Sequence, residues 1–169
     1  LLSLNNLIMV NDMDEFIVLI PVQTFDDVEK LRIIRNECRN YMTRSKNLIE
    51  TEQQINWWNN LDKESNKLYL VHKVYHAVAS TIVGYGYIRV ENGEILLTGG
   101  LTETERGKGH GKTLFGALVE NSKQFDLPIK LELLKTNTKA FVVYNSLGFR
   151  VTNDDGKIIK MEYHYDSVI

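Results

Sequence analysis

A hairpin followed at once by a helical crossover limits how this chain can fold. "TIVGYGYIRV" (Thr81–Val90) and "EILLTGGL" (Glu94–Leu101) are rich in β-branched and aromatic residues, and Asn92-Gly93 stands between them. Both turn residues tolerate positive φ, so the two runs are predicted to pair antiparallel. The period then changes. In "GKTLFGALVENSKQF", Leu114, Ala117, Leu118 and Asn121 fall on one helical face, and "PIKLELL" returns to a strand. A strand–helix–strand connection from Leu96 to Leu134 is expected to be right-handed, with its two strands parallel. Antiparallel pairing joined to one parallel step makes a mixed sheet.

The flanking segments extend that plan. "EFIVLIPV" (Glu15–Val22) reads as a first strand. Thr24 is a candidate N-cap, with Asp26 and Asp27 in the first turn and Val28, Leu31, Ile34 and Cys38 at helical spacing. A second helix is predicted to begin near Thr51, where Thr51 and Gln54 suggest a capping box, and to run through Trp57 and Trp58. "KLYLVHKV" is a strand; "TNTKAFVVYNSLGF" is a capped helix ending at Gly148; "FRVTNDDGKIIKMEY" is an Asp-Gly hairpin. The expected fold is α/β (α+β): a mixed, mostly antiparallel sheet of about seven strands, flanking helices and one parallel crossover. With 169 residues and 43% hydrophobic content, the chain suits one domain over 1–169. Residues 1–13 are expected to be a poorly ordered or appended end. Asn5, Asn6, Asn11, Asp12 and Asp14 interrupt the apolar start, which lacks a basic leader, so neither a signal peptide nor a membrane span is expected.

Charge and cysteine usage narrow the function classes. A formal net charge of −2 supplies no general field for nucleic acid, so an anion site must be local. Cys38 is the single cysteine; it cannot form an internal disulfide, which suits a reducing, cytoplasmic setting, and it reads as a small apolar helix residue. His72 and His76 stand four apart in a strand-to-loop stretch without a third ligand nearby, so no metal is expected.

The most informative stretch is "TETERGKGHGKTLF" (Thr102–Phe115). Its Gly-Lys-Thr suggests an ATP loop, but such a loop needs glycine five residues before Gly111, where Arg106 stands. A dinucleotide loop needs G-x-G-x-x-G, whereas Gly107, Gly109 and Gly111 alternate. Arg106-Gly107-Lys108-Gly109-His110-Gly111 instead reads as R-x-x-G-x-G between a strand and a helix. Bare glycines let a bulky anion approach the backbone, and a helix N-terminus offers unpaired N–H groups. Arg106, Lys108 and Lys112 add local positive charge. The plain alternative is a set of turn glycines with solvated lysines.

Here the chain resembles the GNAT superfamily of N-acetyltransferases. The R-x-x-G-x-G loop is similar to that family's acetyl-CoA pyrophosphate loop, and Asn137, Lys139, Ala140, Tyr144, Gly148 and Phe149 match a second signature in order. The resemblance covers roughly Lys67–Tyr165. It implies that Leu101 hydrogen-bonds the pantetheine arm through its backbone. It also implies that Arg106, Gly107, Lys108, Gly109, His110, Gly111 and Lys112 bind pyrophosphate, and that Asn137 contacts the pantetheine or phosphate region. Gly99-Gly100 suits a bulge or a close backbone approach in a strand that the family splays from its parallel neighbour.

The implied reaction is direct transfer of an acetyl group from acetyl-CoA to a primary amine. Tyr144 is the implied general acid toward the departing sulfur; by helical spacing it also shares a face with Ala140, Phe141 and Leu147, as a core aromatic would. For the base, Glu94 is a weakly placed candidate; His72, His76, Tyr85 and Tyr87 are alternatives for carrying a proton out through water. Of Trp57 and Trp58, one is expected in the core, and the other either packs there too or walls the acceptor site. The acceptor is expected to be a small-molecule or peptide amine, and the protein a monomer or homodimer. A CoA-binding module without turnover is the rival reading, and a P-loop-like nucleotide binder a remote one.

Overall fold

The computed structural model describes residues 7–9, 15–75 and 79–165. β1 (Leu7–Met9) and β2 (Glu15–Pro21) precede α1 (Phe25–Glu37) and α2 (Thr51–Asn60). β3 (Asn66–Tyr75), β4 (Ala79–Glu91) and β5 (Glu94–Leu101) form a meander, and α3 (His110–Ser122) crosses to β6 (Ile129–Leu134). α4 (Thr138–Leu147) then leads to the hairpin of β7 (Phe149–Asp154) and β8 (Ile158–Tyr163). The strands form one sheet in the order β1-β2-β3-β4-β5-β6-β8-β7. Neighbours are antiparallel except β5 and β6, the two ends of the crossover. The strand beyond the expected seven is β1, inside the 1–13 segment; the remainder of that segment lies outside the described residues.

Local chemistry fixes the joints. Asn92 and Gly93 adopt φ of 54° and 73° and close the β4–β5 hairpin at Glu91 and Glu94, as a two-residue turn with both φ positive requires. Thr24 and Asp27 cap α1 reciprocally. The second capping box sits one residue earlier than expected: the Gln53 side chain accepts from the Glu50 N–H at 2.9 Å. Thr51 is diverted to a tertiary contact, its hydroxyl donating to Glu29 at 3.3 Å.

Each face of the sheet buries a separate core. On one face, α1 and α2 pack Val28, Leu31, Ile34, Cys38 and Trp58 against Leu68, Leu70 and Tyr85. On the other, α3 sets Leu114, Phe115 and Leu118 against Val71, Ile88, Ile95, Leu97 and Ile129. The buried stripe of α3 is broader than expected, and Ser122, not Asn121, is its buried polar end. Ser122 is tolerated there because its hydroxyl donates to the Leu118 carbonyl at 2.7 Å. No helix among the described residues is long and apolar enough to cross a membrane.

The break in the sheet positions the site. β5 and β6 pair only over Ile95–Leu97 and Ile129–Leu131. Past that point β5 stays with β4 while β6 stays with β8, so a wedge opens between the parallel strands. β5 carries no bulge at Gly99-Gly100, since its register with β4 is continuous from Glu94 to Leu101. Close approach explains the second glycine. A Cβ on Gly100 would lie 2.7 Å from Cys38 Sγ and 3.2 Å from the Tyr85 ring, so α1 presses directly on the strand behind the wedge. The bulge lies in β4 instead: Val71 pairs with Gly84 and His72 with Ile82, leaving Val83 unopposed.

Candidate active site

At the mouth of the wedge, Gly107 and Gly109 hold φ of 77° and 85°, conformations that a side chain disfavours. A Cβ on Gly107, Gly109 or Gly111 would meet no protein atom within 4 Å, so the space over the loop is open. Gly109 is the N-cap of α3 and supplies no side-chain cap. α1 and α4 are capped by Thr24 and Asn137, and Gln53 serves the start of α2. The first amides of α3 are thus offered outward, with the positive end of the helix dipole behind them. Lys112 and Lys139, both exposed, also line the cavity.

Of the loop's remaining side chains, Arg106 and His110 turn inward, while Lys108 stays half exposed. Arg106 donates from Nε to the Leu101 carbonyl at 3.1 Å and from Nη2 to Cys38 Sγ at 3.7 Å, and its guanidinium lies 5.0 Å from the Tyr41 ring centroid. It buttresses the end of β5. Lys108 and His110 leave the cavity lining and face Glu105, at 3.5 Å and 3.6 Å. Lys73 donates to Glu105 at 2.8 Å, so Lys73, Glu105 and His110 form a buried cluster beneath the loop. Burial opposes ionisation of Glu105, but Lys73, Lys108 and His110 outweigh it and hold the carboxyl below its ordinary range. Lys73 is raised: burial pulls it down, and the Glu105 hydrogen bond overcomes this. His110 is lowered, because burial outweighs the attraction of Glu105.

A cavity of about 840 Å³ runs through the wedge. From the α3–α4 face it is lined by the loop glycines, Phe115, Asn137 and Tyr144; from the α1–α2 face by Trp57, Tyr85, Tyr87, Arg44, Arg89 and Glu132. Leu101 and Arg106 also border it. Asn137 uses its carbonyl oxygen to cap α4, accepting from the Ala140 N–H at 3.3 Å, which leaves its NH₂ group for the cavity. Tyr144 packs as its helical spacing predicts and also lines the cavity. Its ring packs edge-on against Phe115 and Phe149, with centroids 4.7 Å and 6.1 Å away. Its hydroxyl has no hydrogen-bond partner among the described residues, and burial pushes its pKa up.

The carboxylate in the cavity is Glu132, the first residue of β6 past the paired rungs. It accepts from Thr43 Oγ1 at 3.1 Å and meets Arg44 at 3.5 Å. Glu94 lies at the other end of β5, paired with Lys130, 47% exposed and outside the cavity lining. Alternation in "IKLELL" sets Glu132 on the face away from the Ile129–Leu131–Leu133 core. That signal was available in the sequence, but the distance at which β5 and β6 part was not.

Other expected groups fall elsewhere. His72 is on β3, 3.4 Å from Ser80 Oγ, and outside the cavity lining; His76 lies outside the described residues. Tyr85 is buried, with its hydroxyl toward Met42 Sδ at 4.0 Å. Tyr87 donates to Asn66 at 2.5 Å. Trp58 is core, whereas Trp57 walls the cavity, edge-on to Tyr87 at 5.9 Å. Among the described residues no cluster of His, Cys, Asp or Glu is arranged to hold a metal ion.

No family model matches the sequence, and no curated protein matches it. Solved structures do match in shape. Spermidine N-acetyltransferase from Vibrio cholerae, in complex with CoA and spermine, superposes with a TM-score of 0.72 at 16% identity, over 86% of this chain and 94% of that one. Ribosomal-protein-alanine N-acetyltransferase from Brucella melitensis gives 0.69 at 17% identity, over 88% and 99%. YncA from Salmonella typhimurium, with its cofactor acetyl-CoA, gives 0.70 at 14% identity, over 91% and 95%. A mixed sheet splayed at its one parallel pair, with this helix order, is the fold of the GNAT superfamily of acetyltransferases.

Proposed function

We propose that this protein is an acetyl-CoA-dependent N-acetyltransferase acting on a primary amine by direct attack in a ternary complex. One observation carries the reading: the wedge between β5 and β6 opens at one end onto the uncapped, glycine-lined start of α3 and on the other face of the sheet onto a lone carboxylate, Glu132. The chain fits the donor. Outward amides of α3, open space over Gly107, Gly109 and Gly111, and Lys112 suit a diphosphate. β5 past Leu97 lacks a strand partner on its β6 side, so its backbone can pair with an amide-bearing arm lying in the wedge.

Acetyl-CoA supplies an acyl group on a thiolate leaving group. Residues of the chain do the rest. The wedge holds the two reactants within attack distance, which alone removes a large part of the barrier. Glu132 takes a proton from the incoming ammonium, directly or through one water, because only the neutral amine is nucleophilic. Tyr144 stays protonated through the neutral range, its pKa being raised by burial, and is able to donate to the departing sulfur. This assigns the base to Glu132 in place of Glu94. Arg106 acts on the donor indirectly, by fixing the end of β5, and Lys108 and His110 do so by fixing the loop.

The test is a thermal-shift panel followed by an amine screen that follows release of free thiol. CoA and acetyl-CoA are expected to raise Tm while ATP with magnesium leaves it unchanged. Thiol release that requires an amine establishes transfer. CoA stabilisation without turnover on any amine favours the non-catalytic CoA-binding module.

A further inference from the structure

The acceptor half of the cavity carries more positive charge than a simple amine needs. Three guanidinium groups line it, Arg35, Arg44 and Arg89, against one carboxylate, Glu132. Arg35 is committed to structure: it donates to the carbonyls of Asn47 at 2.7 Å and Ser45 at 2.9 Å, tying down the α1–α2 connection. Arg44 bridges Glu91 at 3.3 Å and Glu132 at 3.5 Å. Arg89 is different. Its guanidinium makes no hydrogen bond among the described residues, and its buried Nε has only an ion pair. Glu91 approaches that nitrogen at 3.4 Å but not in hydrogen-bonding alignment, and the Tyr87 ring lies 5.8 Å below the guanidinium. The terminal nitrogens of Arg89 are therefore the donors left for a ligand on this wall of the cavity.

Register puts this group within reach of the reacting end. Arg89 and Tyr87 are alternate residues of β4, opposite Leu96 and Thr98 of β5, on the same face as Glu132. Arg44 spans the interval between them, touching Glu132 directly and sharing Glu91 with Arg89. We propose that the acceptor is an amine bearing a carboxylate a few bonds from its nitrogen, as amino acids do, and that Arg89 binds the carboxylate with help from Arg44. The nitrogen stands at Glu132, the carboxylate at the two guanidinium groups, and an apolar side chain lies along Trp57 and Tyr87. A polycationic acceptor faces repulsion here, since Glu132 is already shared with Thr43 and Arg44. A peptide N-terminus carries an amide at this position and leaves Arg89 unmet.

The inference rests on the acetyl-transfer reading for the role of the nitrogen, but carboxylate recognition is measurable without turnover. Calorimetric titration of the CoA-loaded protein with a panel of L-amino acids, each beside its own α-carboxamide, and with spermidine separates the two. At least one acid is expected to bind about tenfold or more tightly than its amide, the usual scale for a charge-assisted hydrogen bond. Arg89→Gln is expected to erase that ratio while leaving CoA affinity unchanged. Equal binding of every acid and its amide, or preference for spermidine, overturns the proposal even if amines are acetylated. An acid preference without thiol release sustains it and refutes the transfer reading instead.

Discussion

The two halves of the cavity are made from different materials. The half proposed to hold the donor is mostly backbone: the outward amides of α3, three glycines with open space above them, and the unpaired edge of β5. The half proposed to hold the acceptor is mostly side chain, with Trp57, Tyr87, Arg44, Arg89 and Glu132 arriving from α2, β4, the α1–α2 connection and β6. Recognition by backbone needs special residues at fixed spacing and tolerates change around them. Recognition by side chains depends on how distant segments are brought together, and one substitution rewrites it.

Three changes sharpen or break this contrast. The largest effect is expected in the acceptor half: Glu132→Gln should lower kcat/KM by about 10²–10⁴, the range for loss of a general base, with CoA affinity preserved. A loss of CoA binding in that variant would show that the halves are not separable. Next, Gly109→Val forces a side chain into a left-handed conformation at roughly 1–2 kcal/mol and also intrudes on the donor space. CoA Kd should rise at least about tenfold by titration, with kcat at saturating donor changed little. A variant that binds CoA normally would remove the backbone account of the loop. The smallest effect concerns the cluster beneath the loop. His110 has its pKa lowered from 6.5 by burial, so the folded state favours the neutral ring. Its contribution to stability is complete above pH 6.5 and is lost as pH falls toward the lowered value. Tm measured between pH 7 and 5 should fall less steeply in His110→Gln than in the parent protein. An unchanged slope means that His110 does not titrate in the folded state as its burial requires.

Legibility in the sequence divides along the same line. Asn92-Gly93, the Thr24 cap, the Gly148 terminus and the alternating glycines from Gly107 are local signals, and each element they predict is present. The parallel crossover follows from element order, and it is present as well. Leu101, Arg106, Gly107, Gly109, Gly111, Lys112, Asn137 and Tyr144 border one cavity. Direction was the hidden variable within the loop. Nothing local says that Arg106 folds back on Leu101, or that Lys108 and His110 turn to Glu105, because their partner Lys73 is on β3. Glu132 was overlooked for a related reason: it lines the cavity only because β6 leaves β5 one residue earlier, a property of two strands and not of one. Thr51 shows the same limit at small scale, since Glu29 on another helix takes the hydroxyl that local pattern assigns to a cap.

Under the proposed transfer function, a cavity lined from both faces of the sheet offers its two visitors separate approaches. Neither reactant need wait for the other to clear a shared corridor, and the spent carrier can depart while its counterpart stays seated. Such an enzyme is expected to take its reactants in either sequence, and to show little blockade of one doorway by a molecule parked in the other.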